Sequence, residues 1–415
     1  MTQMIDIGIR ARQASVELAK LPTNVKNNVL LAMAKALEQN MDDILKANQN
    51  DVDAARTKGI KDALLDRLVL NKSRIEKMAQ GIREVAELPD PVGQIVKTWI
   101  RPNGLIIGQL RVPLGVVGMI YESRPDVTSD ASAICIKSGN VVILRGGSDA
   151  INSNLMIGRV LNEAAVSAGA PKGSIQVVET TDRRAVKELM RMREYVDVLI
   201  PRGGADLIKT VVENARVPVI ETGIGNCHIY VEQDADLDMA VKIVLNAKCQ
   251  RPGTCNAAEK LLVHQNIAKG FLPKMIKALQ DAGVEVRGCS RTWKIVAGIK
   301  KASDKDWYTE YLDLIIGVKV VDDLDDAISH INKYGSKHSD AILTTDFNKA
   351  LRFINEVDSA AVYWNASTRF TDGNQYGLGA EIGISTQKIH ARGPMSVEHL
   401  TTIKYFGLGR GHIRE

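Results

Sequence analysis

A chain of 415 residues, 45% hydrophobic and 25% charged, can bury a sizeable core and has the length of two or three domains, which excludes a disordered polypeptide. Its five cysteines (Cys135, Cys227, Cys249, Cys255 and Cys289) are odd in number and lack CxxC pairing; this argues against a zinc site or a secreted disulfide framework and for reduced thiols in the cytoplasm, with no metal expected. The net charge of +5 comes from interleaved basic and acidic residues, and no apolar run reaches the length of a membrane span, so no nucleic acid or membrane partner is expected, whereas small anionic ligands are compatible.

From about residue 8 to 88 apolar positions recur at helical spacing, as in NNVLLAMAKALEQNMDDILKANQNDVDAA, and stop at Leu88-Pro89-Asp90-Pro91, predicting a helical segment. GQIVKTWIRPNGLIIGQLRVPLG then changes to short β-type runs broken by Pro102-Asn103-Gly104, a hairpin signal. Between about 115 and 232 the runs GVVGMIY, VVILR, IQVVE, VDVLI, VPVIE and CHIYVE mostly alternate with amphipathic helical stretches, the βαβ pattern of a parallel sheet. A second alternating region, about 235 to 365, carries KLLVH, VEVRG, GVKVV, AILTT and AAVYW. The expectation is an α/β protein with two such domains, and no internal repeat or low-complexity tract is apparent.

Two strand-to-helix turns are rich in glycine, VVILRGGSDA (with Gly146, Gly147 and Ser148) and VDVLIPRGGADLIK (with Arg202, Gly203 and Gly204). Such turns bring backbone N–H groups close to a phosphate. Neither is GxGxxG, so a plain glycine turn stands beside that reading. Arg145, directly after its strand, is placed for a ribose 2′-phosphate, which favours NADPH/NADP as cofactor.

AKCQRPGTCNAAE (247–259) places Cys255 between Gly253-Thr254 and Asn256. A loop-to-helix junction there, with Arg251 nearby, would favour a nucleophilic thiolate. The bland alternative is a small buried hydrophobe, and that reading is kept for the other four cysteines.

The ordered segments PLGVVGMIYESRP, GNVVILRGGS, LIPRGGADLI, VIETGIGN, DADLDMAV, QRPGTCNA and AISHINKYGSKHSDAI resemble the aldehyde dehydrogenase superfamily over nearly the whole chain. Glu221 lies 34 residues before Cys255, the spacing of the superfamily's glutamate and nucleophile. Within it, VDDLDDAISHINKYGSKHSDAI and VYWNASTRFTDGNQYGLGAEIGISTQKIHARGP resemble the gamma-glutamyl phosphate reductase (glutamate-5-semialdehyde dehydrogenase) family.

That resemblance implies an aldehyde-dehydrogenase-like fold with a Rossmann-type NADP-binding domain (1–95 and 114–232) and a catalytic domain carrying the cysteine (233–367). It also implies oligomerisation elements (96–113 and 395–415) that would make a homodimer or homotetramer. The implied reaction is NADPH-dependent reduction of L-glutamyl 5-phosphate to L-glutamate 5-semialdehyde and phosphate through a Cys255 thioester, the second step of proline biosynthesis, with a glutamate 5-kinase as a partner to consider. The backbone N–H of Cys255 is the first oxyanion donor to consider, and Ser123, where hydrolytic relatives carry an asparagine, the second. Arg124, Arg251 and Arg369, with Asn256, are expected around the substrate's phosphate and carboxylate. Glu310 corresponds to the glutamate that holds the nicotinamide ribose. Glu221 matches the residue that activates water in hydrolytic relatives, a reaction that would waste an acyl phosphate, so its role stays open. His330 and His338 are given no chemistry. Two rivals remain: an NAD(P)-dependent aldehyde dehydrogenase that hydrolyses its thioester with Glu221 as base, and a catalytically dead nucleotide-binding or scaffold subunit that keeps the fold.

Overall fold

Leu30, Met33, Ala34 and Leu37 recur at the spacing of one helix face, and all four are fully buried along the helix Thr23–Gln39. The computed structural model describes residues 3–60 and 62–414. These form two compact units, one comprising the chain up to Thr222 with Gly377–Gly383 and the stretch from Met395, the other Gly223–Tyr376 with Ile384–Pro394.

The first unit opens with helices Gln3–Leu18, Thr23–Gln39, Met41–Thr57, Asp62–Leu68 and Lys72–Glu87. The last is capped at its start by the Asn71 side chain, which accepts the Arg74 N–H, and it stops where Leu88 turns extended ahead of Pro89. Strands β1 (Ile95–Ile100) and β2 (Ile106–Pro113) form the expected hairpin, turning at Gly104 with φ of +87°. The C-terminal strand Thr401–Leu408 pairs with β2 and completes a three-stranded antiparallel sheet.

Four parallel strands, β3 (Val116–Tyr121), β4 (Val141–Gly146), β5 (Ile175–Val177) and β6 (Val198–Arg202), stand in the order β5-β4-β3-β6. Every residue of β3 and β4 is buried, which explains runs that read as continuously apolar. The expected strand VPVIE is reduced to one bridge, Leu199 to Val219; Pro218 has no N–H to extend the ladder and contributes only its carbonyl to the Leu199 N–H, at 2.8 Å.

A buried carboxylate ties two helices of this unit together. Asp51, 3% exposed on helix Met41–Thr57, accepts from the backbone N–H groups of Asn152 (3.2 Å) and Ser153 (2.8 Å) in the first turn of helix Ile151–Ser167. It also accepts from the Ser153 hydroxyl at 2.6 Å. Asp51→Ala leaves those donors buried and unmet, so a loss of about 2–3 kcal/mol is expected, read as a lower urea midpoint with the slope unchanged.

The second unit holds seven parallel strands: β7 (Cys227–Val231), β8 (Ala258–His264), β9 (Glu285–Gly288), β10 (Lys300–Lys301), β11 (Ile315–Val321), β12 (Ser339–Leu343) and β13 (Ala361–Trp364), in the order β10-β9-β11-β8-β7-β12-β13. Alternate residues feed opposite faces: Ile229, Val231, Leu261 and Val263 pack with Phe271, Leu272 and Met275, while Tyr230 and Leu262 pack with Ile328 and Phe353. The strand CHIYVE, expected in the first sheet, is β7 and bonds to β8 and β12. The division therefore falls between Thr222 and Gly223, ahead of β7, rather than at the expected 232. Among the described residues no helix is long and apolar enough to cross a membrane.

Candidate active site

In the second unit Cys255 lies on the connection between helix Leu237–Cys249 and β8. A strand follows it, so the expected loop-to-helix junction is absent. Asn-Ala-Ala-Glu-Lys has helical propensity, but β8 is buried at all seven positions between β7 and β11, and tertiary burial overrides a propensity of this size. Cys255 is partly exposed, and none of the five cysteines is disulfide-bonded.

The loop is held by the turn Thr368–Phe370. Arg369 donates Nε to Gln250 Oε1 at 3.0 Å, Nη1 to Thr254 Oγ1 at 3.0 Å, and a further bond to Asn256 Oδ1. Asn256 donates Nδ2 to the Thr371 carbonyl at 2.9 Å, and its own carbonyl accepts from Thr368 Oγ1 at 2.7 Å. Asn256, expected at the substrate, braces the Cys255 loop through these bonds. Burial and the neighbouring Arg251 both lower the pKa of Arg369. Among the described residues no carboxylate stands within ion-pair distance of Arg251 or Arg369, and Arg251 is exposed. Asp372 acts on Arg369 from beyond that distance, so the two guanidinium groups beside Cys255 keep positive charge that can meet an anion.

Gly225 lies against the peptide of Cys255: a Cβ there would fall 1.5 Å from the Cys255 oxygen. Its N–H donates to Glu310 Oε1 at 2.7 Å, so Glu310, expected at the nicotinamide ribose, binds the backbone that packs against the Cys255 loop. Cys227 Sγ donates to the Cys255 carbonyl at 3.1 Å, and burial raises the Cys227 pKa and keeps that donor protonated. Gly225 and Cys227 were not anticipated; the glycines of VIETGIGN were the available signal.

In the first unit the remaining predicted residues other than Glu221 stand at the carboxyl ends of β3, β4 and β6. The order β5-β4-β3-β6 reverses direction between β3 and β6, the position where open α/β sheets bind nucleotides. The loops after these two strands meet: Gly204 N–H, at the start of helix Ala205–Asn214, donates to Glu122 Oε2 at 3.1 Å. A carboxylate oxygen thus stands where a phosphate oxygen would. A Cβ on Gly203 would come 2.5 Å from that same Glu122 oxygen, and one on Gly147 2.3 Å from Asp149 Oδ1. At both turns the glycine makes room for one of the protein's own carboxylates. Gly146 instead packs inward, its Cβ position 2.1 Å from Asn154 Nδ2. Ser148 is exposed in the turn between β4 and helix Ile151–Ser167, and Arg202 pairs with Glu381 at 3.7 Å.

Two expected roles do not fit these placements. Arg145 is 8% exposed and turned inward, donating to the carbonyls of Gly146 and Thr181, each at 3.0 Å. Its guanidinium braces two turns instead of presenting itself to a 2′-phosphate. Ser123, in a left-handed conformation (φ 47°), donates its hydroxyl proton to Asp149, which removes the donor an oxyanion would need. Arg124 and Glu221 are both half-buried.

The aldehyde dehydrogenase family model matches residues 3–312. The chain is 59% identical over 406 residues to the gamma-glutamyl phosphate reductase of Halothermothrix orenii, covering 98% of this chain and 97% of that one. To the gamma-glutamyl phosphate reductase of Moorella thermoacetica it is 60% identical over 408 residues, 98% of each. The crystal structure of gamma-glutamyl phosphate reductase from Thermotoga maritima superposes with a TM-score of 0.96 at 51% identity, covering 100% of both chains.

Proposed function

The chain belongs to the aldehyde dehydrogenase family, and from that premise we propose that it reduces L-glutamyl 5-phosphate to L-glutamate 5-semialdehyde with release of phosphate, the second step of proline biosynthesis. The observation that carries the chemistry is the partly exposed Cys255 beside Arg251 and Arg369, two guanidinium groups that no carboxylate among the described residues approaches to ion-pair distance.

Cys255, as thiolate, attacks the γ-acyl carbon; the new C–S bond forms as the C–O bond to phosphate breaks, leaving a thioester. Arg251 and Arg369, with Arg124, receive the phosphate and the α-carboxylate, since a guanidinium offers each a two-pronged donor. The backbone N–H of Cys255 is assigned to the developing oxyanion. A nicotinamide cofactor follows from family membership; when bound it supplies a hydride to the thioester carbon. The resulting thiohemiacetal collapses, its C–S bond breaking to return the Cys255 thiolate and release the aldehyde. The turns Gly146–Ser148 and Arg202–Gly204 would hold the dinucleotide phosphates and Glu310 the nicotinamide end. NADPH in preference to NADH rests on the resemblance, because Arg145 is turned inward. Glu221 is not assigned as a base: activating water would destroy the thioester.

The reaction is placed in the cytoplasm, where free thiols persist. β1 and the C-terminal strand present Ile95, Val96, Ile100, Tyr405 and Leu408 to solvent, and strand pairing through this sheet is proposed to build a homodimer or homotetramer.

The test is the reverse reaction with glutamate-5-semialdehyde and NADP. NADPH formation should require inorganic phosphate and saturate with it. Oxidation that proceeds equally without phosphate would replace this reading with the hydrolytic one.

A further inference from the structure

β8 runs directly on from the nucleophile loop, and its second and third residues are a buried acid and a buried base, both 0% exposed. Their side chains point to opposite faces of the sheet, yet both end on the connection that leads into β11. Lys260 donates Nζ to the carbonyl of Thr309 at 2.8 Å and lies 4.6 Å from the Tyr311 ring centroid. Glu259 accepts the N–H of Leu312 at 3.2 Å and is itself paired with the buried Lys248 at 3.0 Å. Thr309 and Leu312 bracket Glu310. The neighbouring strand leaves room for this: a Cβ on Gly317 would lie 2.9 Å from Lys260 Cδ.

The bracketed segment and the helical turn Asp304–Tyr308 just before it each hold the stretch Gly225–Asn226 that packs against Cys255. Glu310 accepts the Gly225 N–H at 2.7 Å, and Asn226 donates Nδ2 to the Trp307 carbonyl at 2.8 Å. Gly225 in turn touches the Cys255 peptide, and Cys227 Sγ reaches the Cys255 carbonyl at 3.1 Å. Burying a lysine and a glutamate is costly unless each is bonded; each makes one bond that ends on the loop that presents Glu310, and Glu259 is also neutralised by Lys248.

We propose that Glu310 is a positioning residue for the nucleophile, its carboxylate fixing Gly225 against the Cys255 peptide, and that Lys260 and Glu259 are the buried struts that fix Glu310. This rests on Cys255 being the nucleophile and adds a role for Glu310 apart from any contact with cofactor. Burial pulls Lys260 down to about 7 and pushes Glu259 up to about 7, and a neutral amine still donates one hydrogen bond to Thr309.

The test compares Glu310→Gln, Glu310→Ala and Lys260→Met in the full-length enzyme, with thermal midpoints measured alongside. A glutamine keeps an oxygen for the Gly225 N–H; alanine removes it. Expected are a fall in kcat of roughly 10-fold or more for Glu310→Ala and for Lys260→Met, with KM for the acyl phosphate within about twofold, the size of effect that a loosened reacting group brings. Glu310→Gln should recover most of the lost kcat. Hydrogen exchange at the Gly225 amide, without cofactor, should be faster in Glu310→Ala than in Glu310→Gln. The idea is overturned if Glu310→Ala keeps kcat and loses only cofactor affinity, or if glutamine is no better than alanine. Should Glu310→Ala fail to fold, an unchanged kcat in Lys260→Met overturns it alone. Turnover surviving in Cys255→Ala would sink the underlying reading instead, while the Gly225 exchange rates would still report whether Glu310 holds the loop.

Discussion

Cys255→Ala is expected to abolish phosphate-dependent turnover, with a loss of roughly 10³-fold or more, while the protein stays folded and binds cofactor as before. Removing the nucleophile removes the covalent step itself, so no other group recovers it. Cys255→Ser should be nearly as inactive, because a hydroxyl is far less ionised at neutral pH than a thiol and no histidine is assigned as its base. The thiol is partly exposed and its loop is held by neighbours: Arg369 on Gln250 and Thr254, and Thr371 and Thr368 on Asn256. Stability should therefore change by less than about 1 kcal/mol. The check is cofactor absorbance under turnover, together with the mass of the acyl-enzyme after mixing with acyl phosphate: the wild type should gain a glutamyl group on the Cys255 peptide and the alanine variant none. Turnover retained in Cys255→Ala removes the covalent mechanism.

Gly225→Ala is expected to be the most damaging single methyl group in the second unit. Its Cβ would lie 1.5 Å from the Cys255 oxygen, 2.3 Å from its carbonyl carbon and 2.5 Å from its Cα, and all three are backbone atoms with no rotamer to give. Either the segment carrying Gly225 retreats and breaks the bond from its N–H to Glu310, or the Cys255 peptide moves. A displacement of about 1 Å at a reacting group costs on the order of 100-fold in rate, and overpacking of this kind about 1–3 kcal/mol in stability. Gly270, in the middle of helix Gln265–Asp281 with nothing within 4 Å of its Cβ position, is the control. Gly270→Ala should leave kcat unchanged and raise stability by about 0.5–1 kcal/mol. Steady-state kinetics and urea midpoints for the pair separate the two outcomes; wild-type kcat in Gly225→Ala would show that the loop tolerates displacement.

Parallel strands buried on both faces show as apolar runs, unbroken in β3 and beside polar residues in β4 (Arg145), β8 (Glu259, Lys260), β11 (Lys319) and β12 (Ser339, Asp340), and those runs were enough to locate all five. CHIYVE was legible as a strand but not as a member of the second sheet, because its partners β8 and β12 lie beyond it in the chain and sequence adjacency favours the sheet before it. VPVIE failed at Pro218. The Cys255 loop misled for a different reason: helix-favouring residues follow it, while the long-range packing of Leu261 and Val263 against Phe271 and Met275 decides that they extend. Arg145 lies within β4 rather than after it, and side-chain direction separates a ligand-facing arginine from one that braces Gly146 and Thr181. Direction is settled by neighbours that one-dimensional pattern does not reveal. Gly225 was visible as a glycine and silent about why.

The pairing of Thr401–Leu408 with β2 also sets an order of events during synthesis. Residues 223–376, most of the second unit, are synthesised while the earlier segment still waits for the last strand of its antiparallel sheet. Throughout that interval the nascent hairpin offers an unpaired rim to any neighbouring polypeptide, so chaperone dependence at high expression should track the delay before the final strand arrives.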